Sequence, residues 1–219
     1  MSKPTRPIRV LIADDHEVTR QGICAILEKL PDIQVVGEAR NGIEVQRLAA
    51  ELCPDVLLLD LVMPETRPSE VVAWVRQHCP ETVTLVLTAH DQDAYLSKMI
   101  EAGVGGYLTK GERSERLVEA IRCAKRGESF ISADMLDRAL WWRAEVAERW
   151  ESLSKRERQV LHFLMEGGNN ASIAERLGVT TKTVDYHVAN IKCKLRVSTR
   201  LEIVRWVHEN IPDNLRSDF

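Results

Sequence analysis

Five short apolar runs alternate with longer amphipathic stretches in the first half of the sequence, and this alternation constrains the fold most. The runs predict strands at residues 8–13, 33–38, 56–60, 83–88 and 106–109. The other stretches predict helices near 17–30, 42–52, 69–78, 92–102 and 113–126. Five strand–helix units in succession are typical of an α/β fold with a doubly wound, five-stranded parallel sheet. Such sheets bind ligands at the carboxyl ends of their strands.

Beyond Gly127 the pattern becomes entirely helical. Residues 133–150 predict one charged helix, and a new helical block opens where Ser154 and Glu157 have the spacing of a capping box. We therefore divide the chain into a first domain at 1–126, a helical linker at 127–151 and a small all-α domain at 152–219. The last of these carries 11 Lys+Arg against 8 Asp+Glu, an excess of +3 in a chain of net charge -3. A basic second domain suggests a nucleic-acid partner.

Several classes of protein are disfavoured by the composition. No apolar run approaches the length of a membrane span, and the N-terminal residues show no signal-peptide core, so we expect a cytoplasmic protein without a membrane partner. The 5 cysteines are scattered and never spaced as CxxC. They are expected to be reduced thiols that hold neither a disulfide framework nor zinc.

The predicted strand ends carry a polar set of side chains. Asp14 and Asp15 follow the first strand and Asp60 the third, and three carboxylates at one rim repel one another unless a cation lies between them. Oxygen ligands of this kind suit Mg²⁺. Thr88 and Lys110, at the ends of the fourth and fifth strands, offer donors to an anion such as a phosphoryl group. The set predicts a phosphoryl-transfer site with a carboxylate nucleophile, although a helix cap or turn is the alternative interpretation of Asp60 taken alone.

The stretches LIADDH, LLLDLVMP, LVLTAH and GYLTK together make residues 8–126 resemble a response-regulator receiver domain. The resemblance implies that Asp60 accepts a phosphoryl group from a sensor histidine kinase. It also implies that Asp14, Asp15, Asp60 and the backbone carbonyl of Val62 hold Mg²⁺. Such a chain is a regulator and not an enzyme.

The same resemblance assigns the residues that respond to phosphorylation. Thr88 matches the switch hydroxyl, Tyr107 the aromatic residue that turns inward on activation, and Lys110 the lysine that pairs with the phosphoryl group. One departure concerns the segment after the acceptor, where the family usually has glycines and this chain has Glu65 and Pro68. Proline forbids the positive φ that glycine permits, so the loop must take another path.

Two other functions remain open on the sequence. Glu65 and Pro68 are compatible with a receiver-like regulator that no longer depends on phosphorylation. An aspartyl-phosphate phosphatase also places a nucleophilic aspartate at a strand end, but it needs a second carboxylate two residues later, where this chain has Val62.

In the C-terminal block, two helical patterns are joined by a short Gly-Val-Thr turn. The second pattern follows Thr180, a suitable N-cap, and its Val184, Val188, Ile191 and Leu195 predict a buried stripe. The opposite face carries the polar set Lys182, Asp185, Tyr186, Ala189, Lys192 and Lys194. This arrangement predicts a helix-turn-helix whose second helix enters the major groove of double-stranded DNA, with a generic helical bundle as the alternative.

The stretches LSKRERQVL, IAERLGVTTKTVDYHVANI and KLRVSTRLE make residues 152–208 resemble the LuxR-type DNA-binding domain of the NarL/FixJ class. The resemblance places Lys182, Thr183, Lys194 and Arg200 near phosphates, and Thr181, Asp185, Tyr186 and Ala189 near bases. It implies a homodimer on DNA or after phosphorylation. Residues 199–208 are the candidate contact, and the alternative is that Leu201, Val204 and Val207 of this helix belong to the core. Asp185 departs from the lysine of many members, so cytosine amino groups become its expected partners.

The linker shows an apolar stripe at helical spacing. Met135, Ala139, Trp142, Val146 and Trp150 fall on one face, which we expect to be buried, and Leu136 and Leu140 are expected to widen that face. Trp141 lies off the stripe. It is either an isolated exposed residue or a residue that contacts another domain or protomer in one of two states.

Overall fold

The structure, a computed structural model, describes residues 6–64 and 67–212. These residues form two compact units. One holds the described residues up to Asp91 together with Tyr95–Asp137, and the other holds Gln92–Ala94 and the described residues from Arg138 onward. The division cuts two helices, between Ala94 and Tyr95 and between Asp137 and Arg138, whereas the sequence places its boundaries at residues 126 and 151. The domain boundaries therefore stay a prediction.

A five-stranded parallel sheet forms the centre of the first unit, as predicted. Its strands are β1 (Ile8–Ala13), β2 (Ile33–Ala39), β3 (Val56–Leu59), β4 (Val83–Thr88) and β5 (Gly106–Thr109), in the order β2-β1-β3-β4-β5. All residues of β3 are buried because helices cover both faces of the sheet. Leu59 at the end of β3 pairs with Ala13 of β1 and Val86 of β4, so the carboxyl ends of three strands lie side by side.

The helices that follow the strands of the sheet lie close to the predicted positions. They are α1 (Glu17–Leu27), α2 (Gly42–Leu52), α3 (Pro68–His78), α4 (Asp93–Ala102) and α5 (Ser114–Lys125). The prediction for α1 was too long, because the backbone turns after Glu28 and Leu30 bonds back to the carbonyl of Leu27. Pro68 is the first residue of α3, where its missing N–H costs nothing. Glu65 lies outside the described residues.

The linker is helical from Ala133 onward, whereas residues 127–132 are not helical and include a bridge from Phe130 to Gly106. The helical part changes its winding. It comprises α6 (Ala133–Trp142), a π-helical turn (Arg143–Ala147) and α7 (Glu148–Glu151). Ala139, Trp142, Val146 and Trp150 are buried, which confirms four members of the predicted stripe, while Met135 is half-buried. The expectation for the widened stripe was wrong: Leu136 and Leu140 are exposed, because they lie on the flank of the helix away from the core.

Trp141, which the sequence places off the stripe, is 56% exposed. An exposed indole is expected for an isolated surface residue, and it is also expected for a residue that makes its contact only in another state. Both interpretations of Trp141 therefore stay open.

Four further helices complete the second unit: α8 (Lys155–Met165), α9 (Asn170–Leu177), α10 (Thr181–Leu195) and α11 (Arg200–Asn210). The predicted capping box of Ser154 and Glu157 and the predicted cap at Thr180 are both present. The predicted stripe of α10 is buried as well, and it packs with the apolar faces of α8, α9 and α11. Among the described helices, none is both long enough and apolar enough to cross a membrane.

Candidate functional site

Asp14 and Asp60 lie at adjacent strand ends because parallel pairing aligns β1 with β3. The backbone N–H of Asp60 donates to the carbonyl of Ala13 at 2.8 Å, which extends the ladder by one residue and fixes the acceptor candidate beside β1. The two aspartates are 2% and 4% exposed. Two carboxylates this deeply buried require a nearby cation.

Lys110, directly after β5, supplies that cation. Its ammonium lies 2.7 Å from Oδ2 of Asp14 and 2.7 Å from Oδ2 of Asp60. The backbone N–H of Lys110 donates to the carbonyl of Thr88 at 2.7 Å, which anchors the residue to β4. Burial opposes the charge on Lys110, but its hydrogen bonds to Asp14 and Asp60 outweigh burial and raise its pKa above the ordinary value. The ammonium therefore stays charged at neutral pH.

The acidic cluster is suited to a hard divalent cation. Asp14, Asp15, His16 and Asp60 each offer one ligand atom, and these atoms all lie within 4.8 Å of one another. Oδ1 of Asp15 is buried and accepts no hydrogen bond from the described residues; Nδ1 of His16 lies 2.8 Å away, but not in hydrogen-bonding geometry. A buried carboxylate oxygen without a donor is a ready metal ligand, so the residues present fit Mg²⁺.

His16 is the member of this cluster that the sequence analysis missed. Its imidazole follows the two aspartates directly in the LIADDH stretch, and its position beside Asp15 in the chain was the available signal. The side chain of His16 is largely exposed.

The two predicted switch residues both contact the backbone of His90, which follows β4. The hydroxyl oxygen of Thr88 accepts from the N–H of His90 at 3.1 Å, and the hydroxyl of Tyr107 donates to the His90 carbonyl at 2.9 Å. Thr88 and Tyr107 are fully buried. The N–H of Val62 lies 3.4 Å from Oδ1 of Asp60. The structure thus brings all predicted residues of this site to one edge of the sheet.

The predicted DNA-reading face of α10 is open in the second unit. Thr181, Lys182, Asp185, Tyr186 and Ala189 are exposed, and Thr183, Lys192, Lys194 and Arg200 are partly exposed. Lys194 also has a partner within the unit. Its ammonium donates to the carboxylate of Glu157 at 2.7 Å and to the carbonyl of Ser152 at 2.8 Å.

A second polar network joins three helices of the same unit. Asn170, the first residue of α9, donates to Oδ1 of Asp185 at 2.5 Å. Arg200, the first residue of α11, donates to Oδ1 of Asn170 at 2.7 Å and also to the carbonyl of Gly168. Asn170 was not among the predicted residues, because its contacts are to residues distant in the chain.

This fold and these two sites define a class of protein. Residues 10–122 match the family model described as response regulator receiver domain, and residues 151–207 match that of bacterial regulatory proteins of the luxR family. The chain belongs to the response regulators that join a receiver domain to a LuxR-type domain, as the sequence resemblance implied.

Individual relatives agree with this membership. The chain is 42% identical to the transcriptional regulatory protein LiaR of Bacillus subtilis (strain 168) over 207 residues, which cover 93% of this chain and 98% of the relative. Among solved structures, the response regulator ChrA of a heme-sensing two-component system is 30% identical with a TM-score of 0.57, covering 93% of this chain and 98% of that one. A complex of the response regulator RcsB with DNA is 25% identical with a TM-score of 0.62, over 93% and 99% of the two chains.

Proposed function

We propose that this protein is a cytoplasmic transcription regulator whose binding to double-stranded DNA is switched by phosphorylation of Asp60 from a sensor histidine kinase. The observation that carries the proposal is the pairing of Lys110 with both Asp14 and Asp60 at 2.7 Å. This arrangement holds a buried carboxylate at a strand end beside a positive charge.

The chemistry assigned to Asp60 is nucleophilic. A carboxylate oxygen of Asp60 attacks phosphorus, the bond from phosphorus to the kinase imidazole nitrogen breaks, and that nitrogen keeps the electron pair. Lys110 stays charged and neutralises negative charge on the phosphoryl oxygens, which is where such stabilisation acts. Mg²⁺, bound by the carboxylates of Asp14, Asp15 and Asp60 and by the Val62 carbonyl, would supply further charge neutralisation when present.

The response to phosphorylation is assigned to Thr88 and Tyr107. The Thr88 hydroxyl can donate to a phosphoryl oxygen while its oxygen accepts from a backbone N–H, so a new bond at Asp60 changes the surroundings of His90. Tyr107 is bonded to the carbonyl of the same residue and responds to that change. Phosphorylation is thereby read as a rearrangement of the segment after β4.

The output is assigned to α10. Its exposed face meets the major groove, where Thr181, Asp185, Tyr186 and Ala189 contact bases. The residues assigned to phosphate contacts are Lys182, Thr183, Lys192, Lys194 and Arg200. Lys192 is at the edge of this face. We further propose that the protein binds as a homodimer to two half-sites about one helical turn apart, with α11 as the contact. Leu201 on α11 is 78% exposed and so available for such a contact.

The experiment that tests this function is selection of DNA from a random-sequence pool. The full-length chain would be incubated with the pool and Mg²⁺, with and without acetyl phosphate as phosphoryl donor. We expect enrichment of one repeated site and tighter binding after phosphorylation. Equal binding in both conditions would instead indicate the phosphorylation-independent regulator. Failure to enrich any sequence would contradict the proposal, and a phosphatase activity on small phosphoesters would indicate the enzyme class.

A further inference from the structure

The amide of Asn170 joins α9, α10 and α11 through three polar side chains. Its nitrogen donates to Asp185 in the second turn of α10, and its oxygen accepts from Arg200 at the start of α11. The orientation of this amide is determined by its partners. A guanidinium only donates and a carboxylate only accepts, so the reverse orientation would set donor against donor and acceptor against acceptor.

This geometry explains how an acidic residue is accommodated on a face that approaches phosphates. The side-chain N–H of Asn170 points at residue 185, so a side chain that accepts a hydrogen bond is favoured there. A lysine there, as in many members of the family, would direct a donor toward a donor. The aspartate and the oriented amide thus form one unit. A carboxylate has about four lone-pair positions, so the bond from Asn170 leaves acceptor capacity for a ligand.

We infer that Asn170 is a positioning residue for DNA specificity, which holds Asp185 so that its carboxylate accepts a hydrogen bond from an exocyclic base amino group. The inference rests on the proposed function of the second unit. In the major groove such donors are N4 of cytosine and N6 of adenine, whereas guanine and thymine present acceptors at the corresponding edges. Asp185 held in this way selects cytosine or adenine at one position of each half-site.

Two single substitutions at position 170 separate this role from support of the fold. Asn170→Ala removes both hydrogen bonds of the amide. Asn170→Asp keeps an acceptor for Arg200, so it preserves the link to α11, but it replaces the donor toward Asp185 with a second carboxylate. We therefore expect the Asn170→Asp variant to stay folded, but its Asp185 side chain should no longer be held in place.

The test is base preference measured by selection from the random pool with the full-length chain. We expect Asp185→Ala to reduce preference at one position of each half-site by about tenfold. Asn170→Ala and Asn170→Asp should reduce preference at that same position several-fold, with the other positions unchanged. When combined with Asp185→Ala, neither substitution should reduce that preference further, as a double-mutant cycle requires of two residues acting through one contact.

Two results would overturn the inference. One is an unchanged preference in both Asn170 variants while the unsubstituted chain selects a defined site. The other is an equal loss of preference whether position 185 carries aspartate or alanine, which is what a purely structural role predicts. If the unsubstituted chain selects no site, the proposed function itself fails, and this inference fails with it.

Discussion

The ammonium of Lys110 lies 2.7 Å from a carboxylate oxygen of Asp60, the same distance that separates it from an oxygen of Asp14. One cation thus compensates two carboxylates that are each less than 5% exposed. Because like charges at this depth repel strongly, we expect both the stability of the receiver domain and the proposed chemistry of its site to depend on this lysine.

Replacing this cation should destabilise the receiver domain. Lys110→Met leaves two buried carboxylates without their counter-charge, and we expect the free energy of unfolding to fall by about 3 kcal/mol in buffer containing EDTA. Added Mg²⁺ should restore part of that loss, since a metal ion replaces the missing charge. Urea unfolding with and without Mg²⁺ measures both effects.

The matched control for this experiment is Lys125→Met. Lys125 also lies 2.7 Å from a carboxylate, that of Asp55, but its own side chain is 42% exposed. Its replacement should cost about 1 kcal/mol or less and should show no recovery with Mg²⁺. Similar losses in the two variants would contradict the special role of Lys110.

Asp15 should control the affinity for Mg²⁺. We expect Asp15→Ala to weaken Mg²⁺ binding by on the order of 10–100-fold, because the buried oxygen without a hydrogen bond is lost as a ligand. In metal-free buffer the variant should be at least as stable as the parent, since one of the clustered negative charges is gone. Calorimetric titration with Mg²⁺ measures the affinity. The control is Glu17→Ala, which removes an exposed carboxylate just outside the cluster and should leave the affinity for Mg²⁺ unchanged. Equal effects of the two substitutions on that affinity would show that the metal binds elsewhere.

The acid sensitivity of the second unit should depend on Glu157. Burial opposes the charge of Glu157, but hydrogen bonds from Lys194 and from Ser154 outweigh burial and lower its pKa below the ordinary 4.5. A lowered carboxyl pKa contributes stability that is fully present above pH 4.5 and is lost as the pH falls toward the pKa of the folded state. Glu157→Gln keeps the capping hydrogen bond but removes the charge, so this part of the pH dependence should disappear.

At neutral pH we expect Glu157→Gln to cost about 1–2 kcal/mol, the lower part of the range for hydrogen bonds to charged groups, because Lys194 is about one-third exposed. Thermal unfolding at pH values below and above the ordinary glutamate pKa of 4.5 measures both quantities. The comparison is Glu202→Gln in the capping box of α11. Backbone hydrogen bonds from Ser198 and Thr199 lower the pKa of Glu202 as well, but its carboxylate is less buried and no lysine pairs with it in the described residues, so we expect a smaller loss of pH dependence and of stability. An unchanged pH profile for Glu157→Gln would refute the assignment.

Two lysines of α10 should behave differently although both are assigned to phosphate contacts. Lys182→Ala should lower the slope of log affinity against log salt by about one without affecting thermal stability, because Lys182 is exposed. Lys194→Ala should lower both that slope and the melting temperature, since its ammonium also binds Glu157 and the Ser152 carbonyl. DNA titrations at several salt concentrations, together with thermal unfolding, distinguish the two. A Lys194→Ala variant as stable as the parent would show that the bond to Glu157 contributes nothing.

The sequence predicted the sheet, the helices and the strand-end site because each depends on local patterns. Apolar runs predict β3, and residues that follow neighbouring parallel strands must lie at the same end of a sheet, so the sequence places Asp14, Asp60 and Lys110 together. The capping box at Ser154 is a local signal of the same kind. The end of α1 was placed too late, because helix ends depend on single hydrogen bonds such as that of Leu30.

Contacts between residues distant in the chain were not predictable in this way. The bond of Lys194 to Glu157 and the bond of Asn170 to Asp185 link residues 37 and 15 positions apart, and no periodic pattern records either. The exposure of Leu140 was missed for a related reason. Helical periodicity gives the face on which a residue lies, but the packing of neighbouring helices decides how wide the buried face becomes.

Asp60 is the proposed carrier of the phosphoryl group. The most direct test is intact mass after incubation of the full-length chain with acetyl phosphate and Mg²⁺, in parallel with Asp60→Asn, which keeps the volume of the side chain but removes its nucleophilic charge. We expect one base-labile phosphoryl group on the parent and none on Asp60→Asn, with both proteins folded by circular dichroism. A labile phosphoryl group on the folded Asp60→Asn variant, or none on the parent, would show that Asp60 is not the acceptor.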